Sequence, residues 1–472
     1  MGLLNVLVNS FRAAIGVGQD FINLLGTKDV SRAMEQMTDN SLKVSNAIKE
    51  YEIETHEIMY REKKEILDKN GDHVRWQDQW KLPIPYPAYI NEMALVMLYG
   101  RPVKWKQNSK DTDKAFAAYL DLIKSSRFDS RMRQAKRLAG KEGESAMLFH
   151  CYRDDDNKPN MLIKVLAKSL GDDIRYIKDQ YNRLVGFGWG YYQKEGSDTY
   201  YHFDIFTSKT IYRCKKINVG WEVTEKPNDI GKLPVLLFQQ QVEHHGVQPL
   251  IRREEWVAST TADVNDYFAS PAVVASSDIL DSIPEKQEVG KMYTLQGEGS
   301  DVRYLTWDAA PEAKNNELEY LQKHILSKTF TPKIDWETMS GLSNMSGKAL
   351  EQLFIPAVIK AEKNKEIYGE MMDRAASLFI AAISNVLDIA LKPECDKLII
   401  SHEFQKPFAD DIADTIKNLI DSYDAGGLSL ESFVEKNPLV EDPALEKERL
   451  SKEKKEKEDS RRKIDFFESS EV

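Results

Sequence analysis

Three short clusters of histidines and aspartates contain the side chains best suited to bind a metal ion. His244-His245 and His402-x-Phe404 have no partner residues at the spacing of metal ligands, and a zinc site needs three or four ligands. Asp154-Asp155-Asp156 offers carboxylates, but the glycine and glutamate of a calcium-binding EF-hand loop do not follow. The sequence therefore predicts loop or strand histidines, an aspartate turn, and no metal site.

A glycine-rich run, Gly186-Phe-Gly-Trp-Gly190, is the segment that most resembles a phosphate-binding loop. It lies in a β-type segment with no helix after it, and a phosphate loop needs the N-terminus of that helix. No G-x-x-x-x-G-K-[ST] motif occurs, which argues against a P-loop ATPase. No nucleophile is paired with a base. The sequence predicts a protein that is not an enzyme and needs no cofactor.

The three cysteines are Cys151, Cys214 and Cys395. Their number is odd, their spacing is wide, and no C-x-x-C pair occurs, so neither a disulfide framework nor a zinc knuckle is predicted. A reducing cytosol is the expected place of synthesis.

Length and charge limit the classes of protein further. A chain of 472 residues exceeds the usual limit for one hydrophobic core, so two or more substructures are expected. The net charge of −11 is opposite to that of a protein that grips phosphates over a broad surface. Any contact with nucleic acid should therefore be local or weak.

The N-terminal 26 residues are apolar but interrupted by polar side chains, so they predict neither a membrane span nor a signal peptide. Leu4, Leu7, Val8, Phe11 and Ile15 lie on one face of a helix, which makes the segment amphipathic. Its polar face is not basic, which favours docking on its own protein or on a partner over lying on a membrane.

The first half of the chain changes from helical to β patterns. Residues 39–65 are predicted to be helical, Asn70-Gly71-Asp72 to be a turn between two strands, and residues 112–142 to be helical. Prolines and Gly100 predict a helix that starts near Tyr86 and stops at Gly100. Short aromatic and β-branched segments between 145 and 240 predict a largely antiparallel sheet; these segments are 146–152, 161–165, 184–193, 200–206 and 210–214.

The second half contains the longest helical patterns. The predicted order is a helix over 251–276 kinked or ended by Pro271, a hairpin of 292–295 with 302–307, a helix over 312–330, and a loop over 331–345. Ser346 resembles the N-cap of a helix that reaches Leu391, would be roughly 70 Å long, and should kink near Pro356.

The C-terminal region has a helical pattern from Pro407 to Ala425, a Gly426-Gly427 break, and a short helix to Lys436. The charged run 446–463 mixes acids and bases, which favours a solvated helix that frays into disorder over a nucleic-acid tail.

Several motifs, in this order, resemble a known family. They are Tyr99-Gly-Arg-Pro-Val103 at the end of a helix, Gly231-Lys-Leu-Pro-Val235 before the helix at 251, Ser346-Gly-Lys-Ala-Leu350, and Leu428-Ser429 with Asn437-Pro-Leu-Val-Glu-Asp-Pro443. Over residues 40–448 the chain resembles the portal proteins of tailed bacteriophages, of the SPP1 type.

The resemblance implies an α+β portal fold with these parts: an α/β wing, two stem helices flanking a small β clip, a tunnel loop, a long channel-lining helix and a helical crown. The implied ranges are 1–250 for the wing, 251–276 and 313–330 for the stem helices, 277–312 for the clip, 331–345 for the tunnel loop, 346–392 for the long helix, 393–445 for the crown, and 446–472 for a charged, disordered tail.

The same resemblance implies a homo-oligomeric ring, a dodecamer, at one capsid vertex of the virion. Double-stranded DNA would pass through its channel during packaging and ejection. The implied partners are the terminase large subunit, a head-tail adaptor, and the major capsid and scaffolding proteins, with no membrane.

Two groups of residues are the candidate contact sites under this interpretation. In the tunnel loop and helix start, Lys333 and Lys348 could touch the DNA backbone, and Trp336 could pack the loop or abut the duplex; the group is Lys333, Asp335, Trp336, Glu337 and Lys348. In the clip, the side chains would face the motor and adaptor or form a small core between subunits; this group is Tyr293, Arg303, Tyr304 and Trp307. Ordinary loop and capping roles are the alternative for the first group.

A second function class is a nucleic-acid-processing or head-modifying enzyme built on a portal-like scaffold. Nuclease or ATPase activity would favour this class, and ring assembly without such activity would favour the structural conduit.

Overall fold

The computed structural model describes residues 20–68, 70–156, 158–268, 273–276, 301–304, 311–334, 352–405, 407, 412–440 and 445–454. The chain divides into two compact units. The larger comprises Met1–Lys333 and Ile355–Gln405, and the smaller comprises Ile334–Phe354 and Lys406–Val472.

The α-helices and β-strands follow one another in a mixed order, as an α+β protein requires. The labelled helices are α1 (Val30–Gln36), α2 (Ser41–Tyr51), α3 (Tyr86–Tyr99), α4 (Asp113–Ser125), α5 (Phe128–Glu142), α6 (Gln248–Phe268), α7 (Pro311–Lys328), α8 (Ile355–Ala382), α9 (Lys392–Cys395), α10 (Ile412–Asp424) and α11 (Leu430–Lys436). Residues 20–26 and 445–454 are also helical. The strands are β1 (Thr38–Asp39), β2 (Lys64–Leu67), β3 (His73–Gln77), β4 (Lys104–Gln107), β5 (Glu144–Arg153), β6 (Pro159–Leu166), β7 (Asp173–Lys178), β8 (Leu184–Glu195), β9 (Asp198–Phe206), β10 (Thr210–Lys216), β11 (Trp221–Pro227), β12 (Val235–Gln239), β13 (Val273–Ser276), β14 (Asp301–Tyr304) and β15 (Ile400–Glu403).

The N-terminal part of the larger unit confirms the predicted hairpin and shortens a predicted helix. Strands β2 and β3 flank the Asn70-Gly71-Asp72 turn and pair antiparallel. Helix α2 ends at Tyr51, so the prediction of a helix to residue 65 is wrong. The hydroxyl of Thr55 donates to the carbonyl of Lys49, which offers the backbone a turn instead of another helical repeat. Two 3-10 turns follow, Ile53–Thr55 and Glu57–Tyr60.

Helix α3 runs from Tyr86 to Tyr99, as its proline and glycine signals predict. The helical pattern over 112–142 is confirmed as two helices, α4 and α5. Arg127 separates them because its φ of 55° is left-handed and cannot continue a right-handed helix.

The predicted sheet is confirmed as two sheets. One has the order β1-β7-β8-β9-β10-β11 and the other β12-β5-β6, and every pairing in both is antiparallel. The predicted segments do not include β1, β7, β11 or β12. The core between the sheets includes Leu148, Tyr176, Phe187 and Val235.

The helix predicted over 251–276 is wrong at its C-terminal end. Helix α6 ends at Phe268, and residues 273–276 form strand β13, which pairs antiparallel with β14. The β-branched pair Val273-Val274 lies after Pro271, which removes a helical hydrogen bond. Residues 292–295, the predicted partner of 302–307, lie outside the described residues.

The long helix ends earlier than predicted. Residues 352–353 are also helical, and a turn at Phe354, close to the kink predicted near Pro356, separates them from α8, which starts at Ile355. Pro356 thus lies in the first turn of α8, where a missing N–H costs nothing. Ser346 lies outside the described residues. Helix α8 ends at Ala382, about 42 Å from its start at ~1.5 Å per residue, and a π-turn (Ile383–Leu387) and a 3-10 turn (Ile389–Leu391) follow. The prediction of one α-helix reaching Leu391 is therefore wrong.

The core of the larger unit centres on the ring of Phe379, near the end of α8. Tyr119, Phe128 and Phe149 each meet it edge to face, with ring centroids 5.3 to 5.8 Å apart. A second core places Phe21, from helical residues 20–26, against Phe203 and the sheet. The described end of the apolar N-terminal segment thus docks on its own protein.

The smaller unit contains α10, a break at Gly426 with φ of +74°, α11, and helical residues 445–454, as its pattern predicts. Lys447 pairs with Glu431 and Glu435, both at 2.8 Å, which holds the charged helix to α11. No helix in the described ranges is long and apolar enough to cross a membrane.

Candidate functional site: the paired helices and the segment that follows them

Helices α6 and α7 pack side by side. The start of α6 and the end of α7 are buried in one apolar cluster, here called the helix root. Ile251 of α6 and Ile325 of α7 are buried in one cluster with Ile90 of α3. Further along the pair, Arg253 donates to Glu317 at 2.8 Å. The root is fixed by burial of apolar surface, which stabilises it by about 25 cal/mol per Å² removed from water.

Adjacent carboxylates tie the start of α6 to the N-terminal region. The buried Glu255 lies 2.6 Å from Nδ1 of His56 and accepts the backbone N–H of Ile84 at 2.8 Å. The Tyr86 hydroxyl donates to Glu254 at 2.7 Å. Burial raises the pKa of Glu254, and burial together with the Glu254 carboxylate raises the pKa of Tyr86. These bonds fix the direction in which α6 leaves the root.

A buried charge cluster lies beside the same root, where α5, the segment before α6, and α8 meet. Glu243 pairs with Lys136 of α5 and, at 2.8 Å, with Lys360 of α8. Burial alone would raise the pKa of Glu243, but the two lysine charges hold it down at about 2. The Tyr368 hydroxyl donates to Gln240 at 2.6 Å, which closes the cluster on the α8 side. The cluster joins three segments into one rigid block.

The C-terminus of α7 ends in a left-handed cap at the point where the chain leaves the helix pair. Phe330 has a φ of 54°, and the N–H groups of Phe330 and Thr331 donate to the carbonyls of Ser327 (3.2 Å) and Leu326 (2.9 Å). This is the Schellman pattern, in which C′ is usually glycine. The phenylalanine is therefore strained, and its side chain is half exposed.

The segment after the cap is clamped to α3. The Tyr89 hydroxyl donates to the carbonyl of Pro332 at 2.7 Å, and Thr329 donates to the carbonyl of Ile325 at 2.8 Å. Lys333 follows directly. These two hydrogen bonds hold the start of the segment that is predicted to be a loop.

The structure describes only part of the predicted site residues. Lys333 lies after the α7 cap, as the first described candidate of its group. Arg303 and Tyr304 lie on β14, where they pair with Val274 and Val273. The others lie outside the described residues; they are Asp335, Trp336, Glu337, Lys348, Tyr293 and Trp307.

The histidines, aspartates and cysteines considered above as metal ligands or reactive thiols lie in surroundings typical of structural residues. The described part of the chain contains no group of three or more metal-ligating side chains. His402 pairs with Asp373 at 2.9 Å, and Asp154 accepts the N–H of Lys158 in a turn at 2.8 Å. Burial raises the pKa of Cys214 to about 12 and that of Cys151 to about 11, so both thiols stay protonated near neutral pH.

The glycine-rich run of β8 packs against aromatic rings. A side chain at Gly186 would meet Phe21, one at Gly188 would meet Phe203, and one at Gly190 would meet the Tyr201 hydroxyl. These glycines give rings the room to lie on the sheet. They do not cradle a phosphate, because no helix N-terminus follows β8.

Sequence reasoning missed the buried cluster because Lys136 and Glu243 are 107 residues apart. One signal was available: Lys136 falls on the apolar face of α5, three residues before Ala139 and four after Met132, both fully buried. A lysine on such a face needs a buried partner.

Comparison with known proteins adds the last observation. The family model described as phage portal protein, SPP1 Gp6-like, matches residues 42–460. No curated protein matches the chain. Similar solved structures include the neck of an empty GTA particle computed with C6 symmetry, at 10% identity and a TM-score of 0.42, covering 73% of this chain and 86% of that chain. Another is the neck of a native GTA particle computed with C12 symmetry, at 10% identity and a TM-score of 0.42, covering 76% of this chain and 90% of that chain.

Proposed function

Because this chain belongs to the SPP1 Gp6-like family of phage portal proteins, and so is a head-tail connector component of a bacteriophage virion, we propose that it forms a homo-oligomeric ring at one capsid vertex. The ring is a dodecamer, and double-stranded DNA passes through its channel during packaging and ejection. The observation that carries this proposal is the family match over residues 42–460.

The contacts between α6, α7 and the residues around them support a proposal in which these two helices form a fixed part of the ring. The apolar cluster around Ile251 and Ile325, with the buried Glu255 and Glu243 contacts, holds α6 and α7 in place. These helices are the stem of the proposed channel. The proposed tunnel loop begins next to Pro332, whose carbonyl accepts the hydroxyl of Tyr89.

The net charge supports a conduit that does not retain DNA. Each phosphate that a protein neutralises adds affinity through counterion release, and tight binding would oppose sliding. Each copy carries a charge of −11, so a dodecamer carries roughly −130. The field of such a wall centres the duplex and keeps the phosphates away from it.

The proposed parts keep the ranges that the resemblance implies. The wing is residues 1–250, the stem helices 251–276 and 313–330 overlap α6 and α7, and the clip is residues 277–312. The tunnel loop spans 331–345, the channel-lining helix lies within 346–392, the crown is 393–445, and a charged tail follows.

Site residues and partners follow from this division. Lys333 and Lys348 contact the DNA backbone transiently, next to Asp335, Trp336 and Glu337 in the tunnel loop. The clip meets the terminase large subunit during packaging and the head-tail adaptor afterwards, through Tyr293, Arg303, Tyr304 and Trp307. Major capsid and scaffolding proteins surround the ring in the capsid.

The first test is the mass and shape of the purified full chain, by native mass spectrometry and negative-stain electron microscopy. The proposal expects closed rings of about twelve copies with a central hole, because heterologous contacts generate a ring when the rotation between copies closes. A chain that stays monomeric or dimeric at all concentrations overturns it. Rings that hydrolyse ATP or cleave DNA would instead favour the enzyme on a portal-like scaffold.

The tunnel loop has its own test, deletion of residues 333–343 in a phage genome. We expect rings to form normally, because the helix root lies outside the deletion, and the packaged DNA per particle to fall. A matched variant that replaces the same residues with glycine and serine separates loop length from loop sequence. Loss of ring formation in the deletion variant would mean that the loop is structural.

A further inference from the structure

The basic residues of the chain are concentrated in one segment. Between Arg101 and Lys141 the sequence contains twelve lysines and arginines against four acids, a net charge of +8. The whole chain carries −11, so the residues outside this segment carry −19. The acidic total therefore conceals a strongly basic part, and such charge asymmetry indicates a local interaction with a polyanion.

Helix α5, which forms the end of this segment, presents its basic residues along one side. Residues on this side recur every three or four positions and are exposed or half-buried; they are Arg127, Ser130, Arg131, Gln134, Arg137 and Lys141. The two acids of the helix lie off this side: Asp129 is half-buried, and Glu142 is buried. This side of α5 thus carries four positive charges and no acid.

Lys124, in the last turn of α4, extends this surface across the turn between the two helices. The N–H of Arg127 donates to the carbonyl of Lys124 at 3.2 Å, and the N–H of Arg131 donates to the carbonyl of Arg127 at 3.1 Å. The three side chains are therefore neighbours. They form no ion pair with any other residue that the structure describes.

These three residues and two more cations of α5 are here called the basic face. The two additional cations pair with glutamates that are more than a third exposed, and solvent screens such pairs. The pairs are Arg137 with Glu92 and Lys141 with Glu52. All five cations of the face are thus available to an anion that approaches from solvent.

The composition of the basic face fits a nucleic acid better than an acidic protein. The large apolar side chains that are exposed in the described chain include none between residues 121 and 151, whereas protein interfaces need apolar anchors at their centre. Protein–DNA interfaces are more polar and more positively charged. Three of the five cations are arginines, whose forked guanidinium matches the oxygens of a phosphate.

We propose that the basic face binds the phosphate backbone of double-stranded DNA outside the channel. The choice of DNA rests on the proposed function, because the ring then stands in a capsid that fills with DNA. Helices α4 and α5 belong to none of the parts proposed to line the channel, so this contact is additional to those of the tunnel loop. Contacts to phosphates alone position the duplex and require no particular base sequence.

The test measures the binding of preassembled wild-type rings to a covalently closed DNA minicircle, by fluorescence correlation spectroscopy. A closed circle cannot thread a closed ring, so this probe reports only the outer surface. We expect binding that does not depend on base sequence and weakens steeply between about 50 mM and 200 mM salt, with a slope near −0.9 per neutralised phosphate. No binding at about 50 mM salt overturns the proposal.

The decisive variant carries Lys124→Gln, Arg127→Gln and Arg131→Gln. It removes three phosphate contacts, so its affinity for the minicircle should fall at least ~tenfold at about 0.1 M salt, and its salt slope should become shallower by about three. An unchanged affinity and slope, with an unchanged melting temperature, overturn the proposal.

A matched control removes the same charge elsewhere in the larger unit. Lys194→Gln, Lys209→Gln and Lys216→Gln replace three exposed lysines on or beside strands of the six-stranded sheet. This variant should keep the wild-type affinity and slope. Equal losses in the two variants would mean that total charge, and not the basic face, governs binding, which overturns the proposal.

A measurement on the wild-type chain covers the case in which the decisive variant does not fold. Acetylation of lysines in rings, with and without the minicircle, is quantified by mass spectrometry. Lys124 should be protected by the minicircle and Lys194 should stay reactive. An unprotected Lys124 overturns the proposal. Rings that retain poly-glutamate through the basic face but not the minicircle also overturn it, in favour of an acidic protein partner.

Native mass spectrometry of the same samples separates this contact from the ring itself. Wild-type rings that do not bind the minicircle overturn the contact and leave the proposed function standing. A wild-type chain that forms no rings but binds the minicircle through these three residues overturns the proposed ring and keeps the contact. If the decisive variant folds but no longer forms rings, the basic face lies between copies, and the proposal is overturned.

Discussion

At the residue scale, Glu243 is the group on which the buried charge cluster depends. Lys136 is fully buried, the Lys360 side chain is 13% exposed, and both pair with this one carboxylate. In Glu243→Gln both ammonium groups would lose their counter-charge, and breaking a buried pair costs about 3–5 kcal/mol. Urea denaturation of the variant should show a loss of this size.

An exposed pair provides the matched control for Glu243. Lys106 and Glu403 pair at 2.5 Å, and both side chains are more than half exposed. Glu403→Gln should change the free energy of unfolding by less than about 1 kcal/mol, because solvent screens this pair. Equal losses in the two variants would mean that burial does not set the strength of the cluster.

His244, next to Glu243, makes stability depend on pH. Its side chain is fully buried, neither ring nitrogen has a hydrogen-bond partner among the described residues, and Glu50 lies 3.9 Å away. Burial first, and then the charges of Lys360, His56 and His245, lower its pKa from 6.5 to about 4, while Glu243 acts in the opposite direction. The imidazole is therefore neutral in the folded protein at pH values where the unfolded chain already binds a proton.

The sign of the His244 effect follows from proton binding. Between pH 6.5 and about 4 the unfolded state binds the additional proton, so stability falls as the pH falls, by roughly 3 kcal/mol across this window. In His244→Leu the unfolding free energy should decline less over the same range, measured by urea titration at pH 7, 5.5 and 4. His245→Leu, at the exposed neighbour, should keep most of the wild-type slope, because burial, the largest cause of the His244 shift, remains. Parallel profiles for all three proteins would assign the pH dependence to other groups.

At the element scale, two glycine substitutions should have opposite effects. In strand β8, an alanine at Gly188 would overlap the fully buried ring of Phe203, which has no room to move, and overpacking of this kind costs about 1–3 kcal/mol. In helix α8, the nearest atom to a new side chain at Gly369 is Nε2 of His402 at 3.6 Å, so alanine should stabilise the helix by about 0.5–1 kcal/mol. Thermal unfolding of Gly188→Ala and Gly369→Ala checks both signs, and a shared sign would contradict this account.

The elements that could be predicted from sequence are those with local causes. Prolines and Gly100 bound α3, and the Asn70-Gly71-Asp72 turn sets the β2–β3 hairpin. The pairing of β4 with β15 could not be predicted, because Gln107 and Ile400 meet across almost 300 residues of chain. The end of α8 could not be predicted for a similar reason. Asn385 donates to the carbonyl of Ile230 at 3.0 Å, and this tertiary contact accompanies the π-turn. In the sequence, apolar residues continue at helical spacing past this point.

The candidate site could likewise be predicted only in part. The helix pair and the start of the following loop, at Lys333, came from local patterns and from the order of motifs. The clamp of Tyr89 on Pro332 and the strained cap at Phe330 depend on how α3 meets α7, which no local pattern encodes.

At the scale of the whole molecule, assembly brings together copies of like charge. Each copy carries −11, so long-range repulsion opposes ring formation, and burial of apolar surface between copies must offset it. Salt shortens the Debye length from ~10 Å at 0.1 M to ~3 Å at 1 M, which weakens repulsion between separated charges and leaves apolar burial in place. Repulsion and burial thus respond differently to salt.

The fraction of chain in rings should therefore rise between 0.1 M and 1 M sodium chloride at a fixed protein concentration, because the Debye length shortens about threefold over this range. Mass photometry at both salt concentrations measures this fraction directly. Sodium chloride is preferred to sulfate, because sulfate strengthens apolar burial by itself. Rings that dissociate as salt rises would mean that ion pairs between copies hold the assembly.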